Sequence, residues 1–206
     1  MLSWHAGRVL PVNLKIVQVG DPVLREAARA VTIEELRGPE IQQLIEWMRE
    51  TMRDAPGVGL AAPQVSVPLQ IAVIEDRAEL MASIAPERLA ERARRPVSFH
   101  VIVNPSISLE GEPVEFFEGC LSLAGFAALV PRAPRVRVEC WNERGEPVSI
   151  AADGWYARIL QHEIDHLAGT LYIDRMQARS FSTIENHKRH WDGLSLEELR
   201  SILVPR

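Results

Sequence analysis

Two histidines four residues apart stand in the segment LQHEIDHLAG, which runs from Leu160 to Gly169. If the segment is helical, His162 and His166 project from the same side, and their imidazoles can share one metal ion. Glu163 cannot point at that metal directly, but its carboxylate can reach a water there and act as a general base. The pattern predicts a hydrolytic metal site, against the alternative of two histidines placed together by chance.

A catalytic site of this kind needs a third protein ligand and an open position for water. One known spacing would put a histidine at position 172, but that residue is Tyr172. Two candidates remain, Glu185 downstream and Cys120 in the upstream segment FEGCLSL. A thiolate binds such an ion well, and Gly119 allows the backbone before it to approach another group closely. The residues alone leave both ligands open.

A glycine-rich loop, GVGLAAPQ, occupies residues 57–64 between a predicted helix and a predicted strand. It does not have the pattern of a phosphate-binding loop, because no Lys-Ser/Thr pair follows it and no strand precedes it. Its last residue, Gln64, carries an amide that can donate a hydrogen bond to an oxygen that gains negative charge. A tight turn without a catalytic role is the alternative.

Taken together, the segments GVGLAAPQ, EGCLS and QHEIDH resemble the three signatures of the peptide deformylase family, complete and in order. The resemblance covers about residues 14–192. Trp155 and Arg158 ahead of the histidines, and DRMQARSF after them, resemble the branch that includes mitochondrial and plant-organelle enzymes. Ala124 and Ala127 depart from residues common in the family, which puts the shape of the substrate groove in doubt but not the reaction.

The resemblance implies an enzyme that removes the formyl group from the N-terminal formyl-methionine of new polypeptides and releases formate. It implies one divalent metal ion held by Cys120, His162 and His166. Ferrous iron is the expected metal in the cell, and zinc or nickel can replace it. Glu163 is the implied proton carrier. The remaining implied catalytic groups, which stabilise the oxyanion, are the Gln64 side chain and the backbone N–H of Leu121.

The peptide is expected to lie extended beside two backbone segments and to pair with them like an added strand. These segments are Val58–Gly59 and Gly119–Leu121. The methionine side chain needs an apolar pocket. The residues expected to line it are Val58, Phe116, Trp155 and Ile159.

Two rival functions stay open at this point. The first is a zinc endopeptidase with Glu185 as the third ligand. The second is a non-catalytic relative that binds formyl peptides or a partner. The intact glutamate, ligands and glutamine favour the deformylase over this second rival.

The patterns predict an α+β fold, with mostly antiparallel strands packed around a central metal-binding helix. We expect a single catalytic domain over residues 1–206, with a surface insertion at about 76–98 and a helical C-terminal tail. Long helices are predicted from Pro39 to about residue 55, and from about Gly154 to Ala168 with Asp153 as its cap. Strands are predicted at 69–75, in the hairpin over 135–152, and in TLYID after Gly169.

The 206-residue chain has a net charge of −5 and a pI of about 5.7, which argues against binding to nucleic acid through a general basic field. No membrane span and no secretory signal are evident, so we expect a cytoplasmic protein, or an organelle protein if the source is eukaryotic. Cys140 is expected to be a buried apolar residue. His187 and His190 are expected on an exposed helix face, whose HKRH cluster could dock near the ribosomal exit.

Overall fold

The computed structural model describes residues 13–203. The expectations about the first twelve residues, including the absence of a secretory signal, therefore lie outside the described residues, as do both ends of the domain predicted over 1–206. Within residues 13–203, no helix combines the length and the apolar character that crossing a bilayer requires.

Six helices and eight strands build the described chain. The helices are α1 (Ile33–Arg37), α2 (Pro39–Asp54), α3 (Pro86–Glu91), α4 (Gly154–Leu167), α5 (Ile184–His190) and α6 (Leu196–Leu203). The strands are β1 (Gly59–Ala61), β2 (Ile71–Asp76), β3 (Val97–Glu110), β4 (Val114–Cys120), β5 (Leu123–Arg132), β6 (Arg135–Trp141), β7 (Pro147–Asp153) and β8 (Ser182–Thr183).

The strands form two sheets in which every neighbouring pair is antiparallel. A five-stranded sheet has the order β1-β2-β3-β6-β7, and a three-stranded sheet has the order β4-β5-β8. The predicted α+β class with mostly antiparallel strands is therefore confirmed. Although β3 and β4 follow one another in the chain, they belong to different sheets, so the chain crosses from one sheet to the other at about residue 112.

The five-stranded sheet is covered by a helix on each face. Along β2, Ile71 and Val73 pack in the apolar cluster that contains α2, whereas Ala72 and Ile74 pack in the cluster that contains α4. This alternation follows from the pleat, which sends successive side chains to opposite faces. It explains why all six residues of β2 are buried.

Helix α4 has a second set of contacts on its other side. Arg158 donates to the carbonyl of Val130 in β5, and Gln161 exchanges hydrogen bonds with the backbone of Ala133 just beyond β5. Its apolar side chains Ile159 and Leu160 pack instead in the cluster against the five-stranded sheet. The helix therefore lies between the two sheets and can carry polar groups from one to the other.

Local signals gave most helix boundaries correctly. Pro39 opens α2 as predicted, and Thr32 and Glu35 form a capping box at the start of α1. Gly169, with φ of 72°, follows α4 as predicted. Asp153 occupies the N-cap position of α4, but its side chain makes no capping hydrogen bond and pairs with Arg95 instead.

Three further expectations can be compared with the described chain. The strand predicted in TLYID is wrong, because Tyr172–Asp174 form a 3-10 turn. The insertion at 76–98 contains the short helix α3 and joins β3 at Val97. The tail contains α5 and α6, but His187 is only partly exposed, since its ring packs 4.1 Å from that of Phe117.

Candidate metal centre and active site

Three potential metal ligands come from two elements of the fold. Cys120 is the last residue of β4, while His162 and His166 lie one turn apart on α4. One donor atom from each residue lies within 4.8 Å of the other two, and Cys120 Sγ is 3.2 Å from His166 Nε2. One sulfur and two nitrogen atoms at such separations fit a single divalent cation, with room for a further ligand.

The orientation of His162 is fixed by a buried carboxylate. Its Nδ1 atom lies 3.1 Å from Oε2 of Glu118, which leaves Nε2 for the cation. Glu118 also accepts two hydrogen bonds of 3.0 Å from Arg132 and one of 2.7 Å from Arg158. Burial would raise the pKa of Glu118, but its bonds to His162 and Arg132 hold that pKa well below its usual range. A carboxylate behind a metal-binding histidine sets the tautomer and raises ligand basicity.

His166 is held in a different environment. It is 1% exposed, and its Nδ1 atom has no hydrogen-bond partner among the described residues. Burial lowers the pKa of this ring well below its usual value, so the imidazole is neutral at pH 7. The neutral ring is the form that binds a metal.

Glu163 is a buried acid at the inner end of the cleft. It is 4% exposed, and its Oε2 atom has no hydrogen-bond partner in the described part of the chain. Burial raises the pKa of this carboxyl to about 7. A group with such a pKa can both accept and return a proton near neutral pH, as a general base that later acts as an acid must.

Gly59 makes room for the Glu163 carboxylate. A Cβ atom at position 59 would lie 2.2 Å from Glu163 Oε1, which is far inside any normal contact distance. Position 59 therefore requires glycine, because any larger residue would place a Cβ atom against the Glu163 carboxylate. The glutamate is held against the backbone of β1 on one side and the helix on the other.

Gln64 is fixed with its amide nitrogen toward the ligands. Its Oε1 atom accepts a 2.8 Å hydrogen bond from the backbone N–H of Ala61, which leaves the NH₂ group on the opposite side. That group lies 3.2 Å from Ser122 Oγ and 3.5 Å from Cys120 Sγ. An amide donor beside the ligands can stabilise negative charge on a reacting oxygen.

A cleft of about 640 Å³ joins these groups. It is lined by Cys120, His162, Glu163 and Gln64, together with the predicted substrate contacts Val58, Gly59, Gly119, Leu121, Trp155 and Ile159. His166 lies behind this surface. Phe116 is not among the residues that line the cleft. Its ring lies 6.4 Å from that of Trp155, centroid to centroid, and borders two other cavities.

Several residues that the fold places at the site have no role that the sequence predicts. The most important of them is Glu118, which belongs to the EGCLS segment. Its two arginine partners, Arg132 and Arg158, come next. The available signal was a glutamate two residues before the cysteine on a predicted strand. If such a charge is buried, it requires partners. Arg94, Phe126 and Ile184 also line the cleft, although nothing local in the sequence indicates this.

Glu185 is not brought to the histidines. It lies in the first turn of α5 and is exposed, and among the described residues the ligand group that includes His162 and His166 is completed by Cys120. The choice that spacing left open is thus made by the tertiary structure in favour of the thiol.

The fold and the site together define a metal-dependent hydrolase with its H-E-x-x-H helix between two antiparallel sheets. The sequence model of the family described as "Polypeptide deformylase" matches residues 13–182. The chain belongs to the polypeptide deformylase family, and the predicted class of enzyme, a peptide deformylase, is confirmed.

Relatives occur in organelles and in bacteria. The chain is 47% identical over 172 residues to "Peptide deformylase 1A, chloroplastic" of Solanum lycopersicum, covering 83% of this chain and 62% of that protein. It is 44% identical over 170 residues to "Peptide deformylase, mitochondrial" of Homo sapiens, covering 82% of this chain and 70% of that protein. The resemblance to the organellar branch is therefore confirmed.

A solved structure extends the comparison to three dimensions. The Met-Ala-Ser-bound class I type b peptide deformylase from Acinetobacter baumannii superposes with a TM-score of 0.72 at 33% identity. The match covers 81% of this chain and all of that one. This confirms the fold.

Proposed function

We propose that this chain hydrolyses the N-terminal formyl group of formyl-methionyl peptides from newly synthesised proteins and releases formate. The observation that carries the proposal is the convergence of Cys120, His162 and His166 with the buried acid Glu163 at the inner end of one cleft. Membership of the deformylase family supports the reaction. The Acinetobacter relative, whose structure holds Met-Ala-Ser, supports a peptide that begins with methionine.

The three ligands suit one divalent cation of borderline softness. Ferrous iron, zinc and nickel all accept this mixture of thiolate and imidazole, so cellular supply decides which is present. We assign ferrous iron in the cell, with zinc or nickel able to replace it. When bound, the cation supplies Lewis-acid chemistry, which makes water acidic near neutral pH and polarises a carbonyl.

Glu163 moves the proton in this mechanism. Its raised pKa allows the carboxylate to take a proton from water and later to give it to the leaving amine. The Gln64 amide and the backbone N–H of Leu121 are assigned to the formyl oxygen as it gains negative charge. Removing one such donor from a comparable site lowers the rate by about 10²–10³.

The peptide is assigned to the cleft between the Val58–Gly59 and Gly119–Leu121 backbones, where main-chain pairing holds it extended. Ile159 and Trp155, which lie on α4 one and two turns ahead of His162, supply apolar walls for the methionine side chain. Phe116 contacts Trp155 edge-on and is assigned to support that wall.

Formate release from formyl-Met-Ala-Ser tests the proposal, with protein purified without oxygen and the metal content measured on the same sample. We expect turnover with about one metal ion per chain. Glu163→Gln should keep the metal and the affinity for the peptide while turnover falls by about 10² or more. An unchanged rate in this variant would remove Glu163 from the mechanism. A metal-loaded wild type that binds the peptide without releasing formate would favour the non-catalytic relative.

The endopeptidase hypothesis and the deformylase hypothesis predict opposite metal contents for two variants. If Cys120 is the third ligand, Cys120→Ala loses stoichiometric metal and Glu185→Ala keeps it. If Glu185 is the ligand, the two results exchange. Metal analysis after gel filtration distinguishes them without an activity assay.

The ribosomal exit is a second proposed contact, based on charge alone. Lys188 and Arg189 are exposed on α5, whereas His187 packs against Phe117. These two cations can face the anionic RNA around the exit. Lys188→Glu with Arg189→Glu should reduce cosedimentation with ribosomes at low salt, and unchanged cosedimentation would reject this contact.

We propose the cytoplasm as the location, or an organelle if the source is eukaryotic, in keeping with the chloroplastic and mitochondrial relatives. Fractionation of the source cells with an antibody to this chain would test it. Recovery in the secreted fraction would contradict it.

A further inference from the structure

A second cavity, of about 280 Å³, lies beside the active-site cleft. Cys120, His162 and Glu163 are not among its walls, although Arg158 lines both spaces. We name it the arginine cavity, because its charged walls are four arginines and two acids: Arg92, Arg132, Arg135, Arg158, Glu91 and Asp153. Such a concentration of guanidinium groups in a concave site attracts anions.

Two of the four arginines are already bonded to the protein. Arg132 donates to Glu118 and to Asp165, and Arg158 donates to Glu118 as well. Arg135 is exposed and lies 3.8 Å from a surface carboxylate. Arg132 and Arg158 therefore contribute positive charge to the cavity, but their donors are used within the fold.

Arg92 has no such partner. Its side chain is only partly exposed, and its Nε atom is buried without a hydrogen-bond partner within residues 13–203. Burial lowers the pKa of this guanidinium, and the nearby Arg88 lowers it further, although Glu91 acts in the opposite direction. A charge in this position is costly unless something pairs with it, so a bound anion would stabilise Arg92.

Two aromatic rings hold the Arg92 guanidinium in place. Its central carbon lies 5.1 Å from the ring centroid of Trp155 and 5.6 Å from that of Phe116. The ring faces attract the cation, but they do not accept the in-plane hydrogen bonds that its N–H groups offer. Because Arg92 directly follows α3, a ligand bound there would join the insertion at 76–98 to the body of the fold.

We propose that the arginine cavity binds a phosphate group, as inorganic phosphate or as the monoester of a small metabolite, with Arg92 as its main hydrogen-bond donor. A guanidinium matches two phosphate oxygens at once. Phosphate carries a charge of about −1.5 to −2 near pH 7, so it compensates a buried cation more strongly than a monovalent carboxylate such as formate does. The inference does not depend on the proposed reaction.

Calorimetric titration of the metal-loaded protein in phosphate-free buffer tests the site. The probes are inorganic phosphate, glycerol phosphate and formate. We expect one phosphate group to bind per chain, with formate at least about tenfold weaker. The tighter of the two phosphate probes identifies the source of the group. Formate that binds as tightly as phosphate, or no saturable phosphate binding at millimolar concentrations, would overturn the proposal.

Arg92→Met locates the anion, since methionine keeps an apolar stem against the two rings but removes the charge. Phosphate affinity should fall by about tenfold or more. Arg49→Met is the matched control, because the Arg49 guanidinium also lies over a ring, 5.4 Å from that of Phe99, and does not line the cavity. It should leave the Kd unchanged. Phosphate binding that survives Arg92→Met would place the anion at the metal or elsewhere and reject the cavity.

A second variant gives an effect of opposite sign and does not disturb Arg92. Glu91 lines the cavity and is exposed, so Glu91→Gln should tighten phosphate binding by about two- to threefold as a repulsive charge is removed. Glu87→Gln is its control, because Glu87 lies on the same helix but does not line the cavity. Equal Kd values for these two variants would contradict the placement of the anion.

Thermal denaturation separates a ligand site from a structural arginine. Phosphate should raise the Tm of the wild type, since it binds only the folded state, and Arg92→Met should lose this rise. In phosphate-free buffer Arg92→Met should be as stable as the wild type or more so, because a costly charge is removed. A Tm lowered by the same amount with and without phosphate would show that Arg92 serves packing alone.

Discussion

The back and the mouth of the cleft are built from opposite kinds of residue. Behind His162, Glu118 lies between Arg132 and Arg158, and all three side chains are 5% exposed or less. At the mouth, the apolar residues Phe126 and Ile184 line the cleft and are each more than a third exposed. The back is polar and closed, whereas the mouth is apolar and open.

The contrast shows that one region positions the metal ligand His162 and the other contacts the peptide. A buried carboxylate between guanidinium groups has few alternative partners, so it can hold a histidine in one orientation. When a ligand covers exposed apolar side chains, the area removed from water favours binding. The fold itself does not depend on that contact. Disruption of the back should therefore change stability and metal binding, and disruption of the mouth should change peptide binding.

The largest effect is expected for Glu118→Ala at the back. Two buried guanidinium groups lose their shared carboxylate, so the free energy of unfolding should fall by about 3–5 kcal/mol. Metal affinity should fall by about 10–100-fold, because His162 loses the group that orients it. Urea denaturation and competition with a chelator measure the two effects.

Glu115→Ala is the matched control for this prediction. Glu115 is a second buried glutamate of β4, but it pairs with Arg200 and Gln177 and does not contact His162. It should lower stability without changing metal affinity. Equal metal affinities for Glu118→Ala and the wild type would show that Glu118 does not orient the ligand.

An intermediate effect is expected for Gly59→Ala, between the back and the mouth. The new methyl group would displace the Glu163 carboxylate, so turnover should fall by about 10²-fold while the metal content stays the same. Gly193→Ala is the control, since a Cβ atom there meets nothing within 4 Å. A fully active Gly59→Ala enzyme would mean that Glu163 does not need its present position.

The smallest effect on stability is expected for Ile184→Ser at the mouth. Because this side chain is already 39% exposed, the free energy of unfolding should change by no more than about 0.5 kcal/mol. Thermal denaturation, measured beside the KM for formyl-Met-Ala-Ser, would show peptide binding altered while the scaffold stays intact. A large loss of stability would instead assign Ile184 to the core and weaken the contrast between the two regions.

Sequence patterns were most successful where a structure depends on residues near one another in the chain. The helix of His162 and His166, the helix that begins at Pro39 and the hairpin of β6 and β7 follow from spacing and turn residues. The strand predicted in TLYID was wrong because a short apolar run does not fix its own conformation. The tertiary contacts of Tyr172 made it a buried 3-10 turn.

Within the site, the sequence identified Cys120 as one of two candidate ligands, and the resemblance to a family selected it. The absence of Phe116 from the lining of the cleft could not be read from the sequence. A strand alternates its faces, but the sequence does not state which face meets the cleft. The same limit concealed Ile184, which reaches the cleft only because β8 pairs with β5.

By itself, the sequence determined the chemistry available to this protein: two imidazoles on one helical face, an acid between them, a thiol and an amide elsewhere. Their spacing on a helix follows from its 3.6-residue period, which needs no distant contact. Only the tertiary structure decided that Cys120 meets the histidines, that Glu118 orients one of them, and that an apolar surface borders the exit. Those outcomes depend on which strands pair and which faces are buried, and these are properties of the whole folded chain.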